Sequence, residues 1–583
     1  MVKRLLKSVR EYKKDSILAP VYVMGEVILE VIIPLLMANL IDYGIDGGNM
    51  SYVVKMGLIL LLSALASLFF GVVAGRKAAV ASTGFAKNLR KDMYYNVQNF
   101  SFSNIDKFST ASIVTRLTTD VTNVQMAYQM IIRMVIRAPA MLIFALIMSF
   151  QIDAQLSLIF VACIPVLTVG LLLIVKKAHP LFSRVFKTYD KLNNVVQENL
   201  RGIRVVKSFV REEHEKEKFG KISQQIYTDF SKAEKLISFN MPLMQFCMYG
   251  CMLLISWFGA RAIVACGGDP TLGLSTGELM SLFTYAMQIL GSLMVVSMVF
   301  VMITMARASG ERIVEILEEK SDLHNPENPV YEVKNGDICF EDVTFSYGKK
   351  GGKPVLSHIN LTIQSGQTIG ILGGTGSSKS SLVQLIPRLY DVSGGKVTVG
   401  GVDVRDYDIE SLREAVSMVL QKNVLFSGTI KENLRWGNEN ATDEEMVHAC
   451  TLSQADGFVR GFPDGYDTYI EQGGTNVSGG QKQRLCIARA LLKKPKILIL
   501  DDSTSAVDTK TDAMIRKAFK EEIPDTTKII IAQRVSSVQD ADQIIVMDDG
   551  KIEAMGTHDE LLNTSSIYRE VYESQVKGGS QDE

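Results

Sequence analysis

The chain has 583 residues, of which 47% are hydrophobic and 21% charged; this composition excludes a disordered or fibrous protein, and the length predicts several domains. Its 62 lysines and arginines almost cancel its 63 aspartates and glutamates, so the chain has no excess of positive charge that would indicate nucleic-acid binding. The seven cysteines show no Cys-x-x-Cys spacing, which argues against a zinc site and a disulfide framework.

The two halves of the chain differ in their hydrophobic pattern. Long apolar runs dominate up to about residue 307, whereas short β-branched segments alternate with amphipathic ones from about residue 336 onward. This contrast predicts an α-helical membrane domain at 1–320 and a soluble α/β domain at 336–583. The polar, proline-bearing stretch 321–335 is the predicted linker.

Six segments of the first half approach the ~20 apolar residues that cross a bilayer. They are 17–40, 56–75, 135–150, 156–175, 241–264 and 280–305. Cations cluster before the first segment and after the second and fourth, which predicts that the N-terminus, both long connections and the soluble half are cytoplasmic. We therefore expect a multi-pass protein of the cell (plasma) membrane, surrounded by membrane lipid.

Two carboxylates lie within the first predicted span. Glu26 and Glu30 are one helical turn apart on the same face. Ionised carboxylates facing lipid are costly, so this face is expected to point into the bundle or a water-filled cavity. There the pair is a candidate binding site for cationic substrates. The alternative is structural, with either glutamate protonated or paired with a polar group such as Arg133 or Arg137.

The long connections 76–130 and 176–240 have helical patterns with few breakers. They predict membrane helices that continue into the cytosol. A polar break in each, at 100–108 and 199–209, predicts a short helix that touches the soluble domain; a solvated hairpin is the alternative.

A phosphate-binding loop follows the apolar strand at 368–372 and opens a helix. Its residues are Gly373, Gly374, Thr375, Gly376, Ser377, Ser378, Lys379, Ser380 and Ser381. Backbone N–H groups of such a loop surround phosphate oxygens, Lys379 neutralises charge, and the Ser380 hydroxyl can ligate magnesium. Ser378 stands where the usual motif has glycine, so its side chain is expected to strain the loop or crowd the phosphate.

Two further motifs follow in a specific order. A second apolar strand, 496–500, ends in Asp501 and Asp502, which places Asp501 where a magnesium ligand is expected. Between this strand and the loop, another helix N-terminus suited to phosphate is formed by Ser478, Gly479, Gly480 and Gln481.

These motifs resemble the ATP-binding cassette, and the six preceding spans resemble the membrane domain of ABC exporters. The resemblance covers essentially the whole chain as one half-transporter, and it implies a translocase coupled to ATP hydrolysis with ATP and Mg²⁺ as cofactors. By the same resemblance, Tyr347 stacks on adenine, and Gln421 senses magnesium as a further ligand. The loop that contacts the opposite nucleotide domain contains Ser505, Ala506 and Asp508.

The resemblance also identifies departures at catalytic positions. The family has a glutamate after the magnesium aspartate, as the base that orients water, but this chain has Asp502. The shorter side chain withdraws the carboxylate by about 1 Å, and a misplacement of ~1 Å can slow a reaction on the order of a hundredfold. The family's γ-phosphate-sensing histidine is replaced by Gln533. The glutamine amide can donate a hydrogen bond but cannot become cationic as histidine can. A hydrogen bond between neutral groups contributes ~0.5–1.5 kcal/mol, whereas one that involves a charged group contributes ~1.5–3 kcal/mol.

The signature at 478–481 is intact, in contrast to the altered phosphate site. In ABC exporters each ATP lies between the phosphate loop of one chain and the signature of the other. The sequence therefore resembles the degenerate subunit of a bacterial heterodimeric multidrug-type exporter. Its implied partner is a homologous half-transporter with an intact Glu/His site, and its implied substrates are drugs or other amphipathic small molecules. The alternatives are a lipid or peptide exporter subunit, or a nucleotide-gated channel or regulator.

Overall fold

The structure, a computed structural model, describes residues 1–265, 273–347, 353–502 and 507–579. The chain separates into two compact units. The first comprises Met1–Gln98 and Thr110–Glu319, and the second comprises Asn99–Ser109 and Lys320–Glu583.

The helices before the soluble half include six stretches, among the described residues, that are long and apolar enough to cross a membrane. These helices are α1 Val2–Leu6, α2 Lys13–Asn39, α3 Met50–Gln98, α4 Phe102–Lys107, α5 Thr110–Thr115, α6 Val121–Ile152, α7 Ala154–Arg201, α8 Ile203–Ser208, α9 Glu212–Ile237, α10 Asn240–Ala265 and α11 Thr276–Glu318. A 3-10 turn at Lys7–Tyr12 and π-helical turns at Leu40–Asp46 and Arg116–Asp120 join neighbouring pieces.

The six stretches contain 43 to 54 residues each. At ~1.5 Å per residue they measure about 65–80 Å, more than twice the ~30 Å thickness of the hydrocarbon core. Each stretch is therefore longer than a bilayer crossing requires, and the helical patterns of 76–130 and 176–240 predicted such extensions.

An apolar face of α3 is open to the surroundings. Leu58, Leu61, Leu65 and Leu68 are each more than half exposed. A continuous exposed apolar face of this kind is stable against lipid rather than water.

The second unit contains two main sheets. Its strands are β1 Ile338–Phe345, β2 Leu356–Ile363, β3 Thr368–Gly373, β4 Gly394–Val399, β5 Val402–Asp403, β6 Val416–Val419, β7 Gly428–Thr429, β8 Tyr469–Ile470, β9 Ile497–Asp501, β10 Thr527–Ile531, β11 Gln543–Asp548 and β12 Lys551–Gly556. The larger sheet has the order β12-β11-β3-β10-β9-β6 and is parallel except for β12, while β2-β1-β4-β5 forms an antiparallel sheet.

Besides α4, helices of this unit lie between its strands and after β12. They are α12 Lys379–Gln384, α13 Ile409–Ala415, α14 Ile430–Arg435, α15 Asp443–Leu452, α16 Asp456–Arg460, α17 Gly479–Leu492, α18 Thr509–Glu522, α19 His558–Thr564 and α20 Ser566–Gly579, with 3-10 turns at Gly465–Asp467 and Val535–Ser537. Every residue of β9 and β10 is buried, as expected for parallel strands covered on both faces.

Strand order brings three loops together. Ile531 of β10 is in register with Ile371 of β3 on one side and Asp501 of β9 on the other. Because the carboxyl ends of parallel strands meet at one edge, the loops after β3, β9 and β10 are neighbours.

The short helix α4 belongs to the second unit. Ser101 and Asn104 form its capping box, and the Tyr390 hydroxyl donates a hydrogen bond of 2.7 Å to Asp106 Oδ2. This is the helix predicted at 100–108. Helix α8, within the second predicted break, belongs to the first unit.

Candidate nucleotide-binding site

The phosphate loop runs from the end of β3 into α12. Lys379 Nζ donates hydrogen bonds of 2.8 Å to the carbonyl oxygens of Gly373 and Gly374. Burial lowers the pKa of Lys379, against an opposing effect of Asp502 and Asp501. A Cβ on Gly373 would lie 2.2 Å from the carbonyl oxygen of Met547, so only glycine fits there. The ammonium group is thus held over the loop.

Ser378 occupies the N-cap position of α12 in a left-handed conformation, with φ 72° and ψ 22°, and its side chain makes no capping hydrogen bond. A non-glycine residue in this conformation is strained by about 1–2 kcal/mol. The strain expected where serine replaces glycine is therefore present in the backbone.

The candidate magnesium ligands Ser380 and Asp501 are in contact. Ser380 Oγ donates a hydrogen bond of 3.0 Å to Asp501 Oδ1. Asp501 is buried, and this burial raises its pKa. Hydroxyl and carboxylate oxygens are the ligands that Mg²⁺ prefers, so the pair fits the ion. Gln421 is exposed and, in the part of the chain that the structure describes, makes no hydrogen bond to either residue.

Two of the three residues that depart from the family pattern, Asp502 and Gln533, contact each other. Gln533 Nε2 donates a hydrogen bond of 2.8 Å to Asp502 Oδ2. Asp502 also has a positive φ of 48°, a conformation that non-glycine residues seldom adopt. The carboxylate at the position of the family's base is therefore engaged by a neutral amide.

Tyr347 lies beside the phosphate-loop helix. Its hydroxyl is 2.8 Å from Ser381 Oγ, and its ring packs edge-on against Phe345 and Tyr390 with centroid distances of 4.8 and 5.2 Å. The residue is 48% exposed, so a nucleotide base could contact it from the solvent side.

The signature forms the start of α17. Ser478 Oγ accepts a hydrogen bond from Gln481 N, and Gln481 Oε1 accepts one from Ser478 N, at 3.3 and 2.9 Å. Ser478 and Gly479 are exposed, and Gly480 and Gln481 are half-buried. The arrangement presents an ordered helix N-terminus, with its partial positive charge, to an external phosphate.

The predicted cross-contact loop is described only in part. Asp508 caps α18 by accepting a hydrogen bond from Thr511 N at 3.0 Å, and this bond lowers the pKa of Asp508. Ser505 and Ala506 lie outside the described residues.

One side chain near the site has no counterpart among the residues that the sequence singled out. Gln575 Nε2 donates to the carbonyl oxygen of Gln533, and Gln575 Oε1 accepts from Val535 N, both at 2.9 Å. Gln575 is 42 positions from Gln533 and 40 from Val535, so no local sequence pattern predicts the contact.

The membrane carboxylates Glu26 and Glu30 face α6. Arg137 Nη2 donates to both carboxylate oxygens of Glu30 at 2.7 Å and lies 3.6 Å from Glu26 Oε1. Glu26 is buried and Glu30 is half-buried. The ion pair with Arg137 is the structural alternative, and it offsets one of the two negative charges on which the cation-binding hypothesis relies.

Comparison with known proteins identifies the family. Residues 17–293 match the ABC transporter transmembrane region and residues 356–505 match the ABC transporter domain. The uncharacterized ABC transporter ATP-binding protein YfiB of Bacillus subtilis is 37% identical over 98% of both chains. The chain belongs to the ABC transporter family.

Other ABC transporters extend the comparison. The ATP-dependent lipid A-core flippase of Desulfotalea psychrophila is 32% identical over 84% of both chains. A bacterial Atm1-family ABC exporter, solved with ATP bound, superposes with a TM-score of 0.79 at 21% identity, over 97% of this chain and 98% of the other. This ABC transporter chain therefore has the exporter fold.

The fold class predicted from the sequence is confirmed: an α-helical six-span membrane domain is fused to an α/β nucleotide-binding domain. The chain is an ABC exporter half-transporter, a multi-pass membrane protein whose ATP-binding domain is cytoplasmic.

Proposed function

We propose that this chain is one subunit of a heterodimeric, ATP-driven exporter of drugs or other amphipathic compounds. Its own ATP site is degenerate, and its signature completes the active site of a homologous partner. The observation that carries the proposal is the contact between Gln533 and Asp502, at 2.8 Å, in a domain whose signature is an ordered helix N-terminus with Ser478 and Gly479 exposed.

The residues of the phosphate site suit binding better than turnover. Lys379 and the loop N–H groups would hold the phosphates, while Ser380 and Asp501, with Gln421, would hold Mg²⁺. When bound, Mg²⁺ neutralises phosphate charge. The Asp502 carboxylate is one methylene shorter than glutamate, and the Gln533 amide already engages it. We therefore propose that ATP is retained here and hydrolysed slowly.

The intact signature can contribute to ATP hydrolysis only at the phosphate loop of a second chain. A homodimer would combine this signature with a second impaired phosphate loop, so neither site would have both catalytic groups. A homologous half-transporter with Glu and His at these positions would supply one competent site. Heterodimerisation therefore explains both the losses and the retained motif.

The proposal is tested by co-expressing this chain with a homologous half-transporter that has Glu and His at the two positions. We expect the two chains to co-purify, and their ATPase rate to rise with amphipathic compounds and to exceed that of this chain alone at least about tenfold. The control is the partner alone, purified identically. A fully active assembly of this chain by itself would contradict the proposal.

A lipid substrate is a second candidate. The support is the 32% identity with a protein named as a lipid A-core flippase. A nucleotide-gated channel or regulator belongs to another class, because it would bind ATP without driving uphill transport. Uptake into inverted vesicles against a concentration gradient separates the exporter from the regulator.

Substrate charge can be tested at Glu26 and Glu30. If the carboxylates attract cations, the Glu26→Gln/Glu30→Gln variant should take up a cationic dye about tenfold less at subsaturating concentration, since a hydrogen bond to a charged group contributes ~1.5–3 kcal/mol. Uptake of a neutral dye and of a fluorescent phospholipid should change much less. The measurement is dye and lipid accumulation in inverted vesicles of the paired transporter.

The Arg137→Gln variant serves as the control, because it removes the same ion pair and keeps both carboxylates, so its uptake of the cationic dye should not fall. Equal losses for all three compounds would assign the cluster a structural role. Unchanged uptake of all three would likewise contradict cation recognition.

A further inference from the structure

The last described helix, α20, is firmly attached to the nucleotide-binding domain. Tyr568, Val571, Tyr572 and Gln575 recur at the spacing of one helix face. Tyr568 is fully buried, with its hydroxyl 2.7 Å from His558 Nδ1, and Val571 and Tyr572 pack on the hydrophobic core. Gln575 lies two turns beyond Tyr568 on this anchored face, so its position is set by the core.

Both polar atoms of the Gln575 amide are used at the loop after β10. The 3-10 turn Val535–Ser537 begins after Arg534, whose side chain supplies no cap. The N–H groups at the start of a helical turn need an acceptor, and Gln575 Oε1 provides one for Val535 N at 2.9 Å. Gln575 Nε2 donates to Gln533 O at 2.9 Å. The amide thereby fixes the backbone on both sides of Arg534.

The far end of the same turn is fixed independently. Ser537 Oγ donates a hydrogen bond of 3.0 Å to Asp512 Oδ2 in the domain interior. With Ser537 held at one end and Gln533 at the other, the loop has little freedom to move the Gln533 side chain. That side chain reaches Asp502 Oδ2 at 2.8 Å.

We propose that Gln575 is a positioning residue of the nucleotide site, through which α20 sets the reach of Gln533 toward the terminal phosphate of ATP and toward Asp502. This inference rests on the proposed function, in which the site holds ATP with Gln533 at the γ-phosphate. Among the described residues, the hydrogen bonds of the Gln575 side chain go to the loop backbone. Its effect should therefore be confined to ligands that Gln533 can reach, which include ATP and exclude ADP.

The test measures dissociation constants of Mg²⁺-ATP and Mg²⁺-ADP for the full-length chain in lipid nanodiscs. Loss of a neutral hydrogen bond changes affinity by about two- to tenfold. We expect Gln575→Ala to weaken ATP binding by that factor and to leave ADP binding unchanged. Glu570→Ala, at an exposed position of the same helix, is the matched control and should change neither constant.

A double-variant cycle separates positioning from a general loss of stability. In a Gln533→Ala background, Gln575→Ala should have no further effect on the ratio of ATP to ADP affinity, because the group that it positions is gone. An additional change in that ratio, or equal weakening of ATP and ADP in the single variant, would overturn the inference.

Amide hydrogen exchange tests the contact without nucleotide. The Val535 amide should exchange faster in Gln575→Ala and at close to the wild-type rate in Gln575→Glu, because a carboxylate still accepts from Val535 N but cannot donate to Gln533 O. Unchanged Val535 exchange in Gln575→Ala would overturn the inference. If the wild-type chain binds neither nucleotide, the proposed function fails, while the exchange measurement still decides whether Gln575 holds the backbone of the loop that carries Gln533.

Discussion

In the proposed heterodimer of this chain with a homologous half-transporter, Gly479→Glu in this chain should lower the ATPase rate on the order of a hundredfold, comparable to the loss of one hydrogen bond that stabilises a transition state. Gly479 is the first residue of α17 and is exposed, so a glutamate there places a bulky anion where the partner's ATP phosphates would approach. Asp502→Ala in the same chain should leave at least about half of the rate, because the proposed function places Asp502 in the slow site.

The measurement is steady-state ATPase of the purified heterodimer in nanodiscs. Gly457→Glu is the matched control, since Gly457 is also exposed and a Cβ there has open space around it. It should retain the wild-type rate. The reverse ranking, with Asp502→Ala inactive and Gly479→Glu active, would contradict the proposal that Gly479 serves the fast ATP site and Asp502 the slow one.

If the nucleotide site of this chain is degenerate as proposed, its repair should raise the hydrolysis rate at this site by about tenfold or more. Asp502→Glu restores about 1 Å of reach to the carboxylate, and Gln533→His restores a group that can become cationic. Because Gln533 and Asp502 are hydrogen bonded to each other, we expect each single repair to recover little and the double variant to recover most of the gain. Adding Ser378→Gly should increase the rate further by removing the left-handed strain at φ 72°.

Single-turnover cleavage of ATP, with the partner's own catalytic glutamate disabled, isolates this site. The control is the same set of repairs combined with Lys379→Ala, which should abolish the gain. An inert double variant that responds to Ser378→Gly would assign the defect to the phosphate loop. A triple variant that stays inert would contradict the proposed cause of the degeneracy.

Much of the architecture could be predicted from local patterns. Six apolar runs of bilayer length determine six spans, because a buried backbone in lipid must satisfy its hydrogen bonds within a helix. The loop at 373–381 and the strand that ends at Asp501 could be predicted as a phosphate-binding loop and a magnesium-ligand strand because each motif consists of consecutive residues. The replacements Ser378, Asp502 and Gln533 were identified for the same reason.

The sequence by itself thus determined the two-part organisation, the order of the nucleotide motifs and the chemical identity of their altered residues. Only the tertiary structure decided which side chains meet. The contact of Asp502 with Gln533 depends on the register of β9 and β10. The ion pair of Glu30 with Arg137 depends on the packing of α2 against α6. The hydrogen bond from Gln575 to the Gln533 carbonyl depends on the packing of α20 on the core. Such contacts join residues that are far apart in the chain. The local sequence specifies the chemistry of a side chain and the face of the helix or strand on which it lies, but the side chain that it contacts is set by the packing of distant segments.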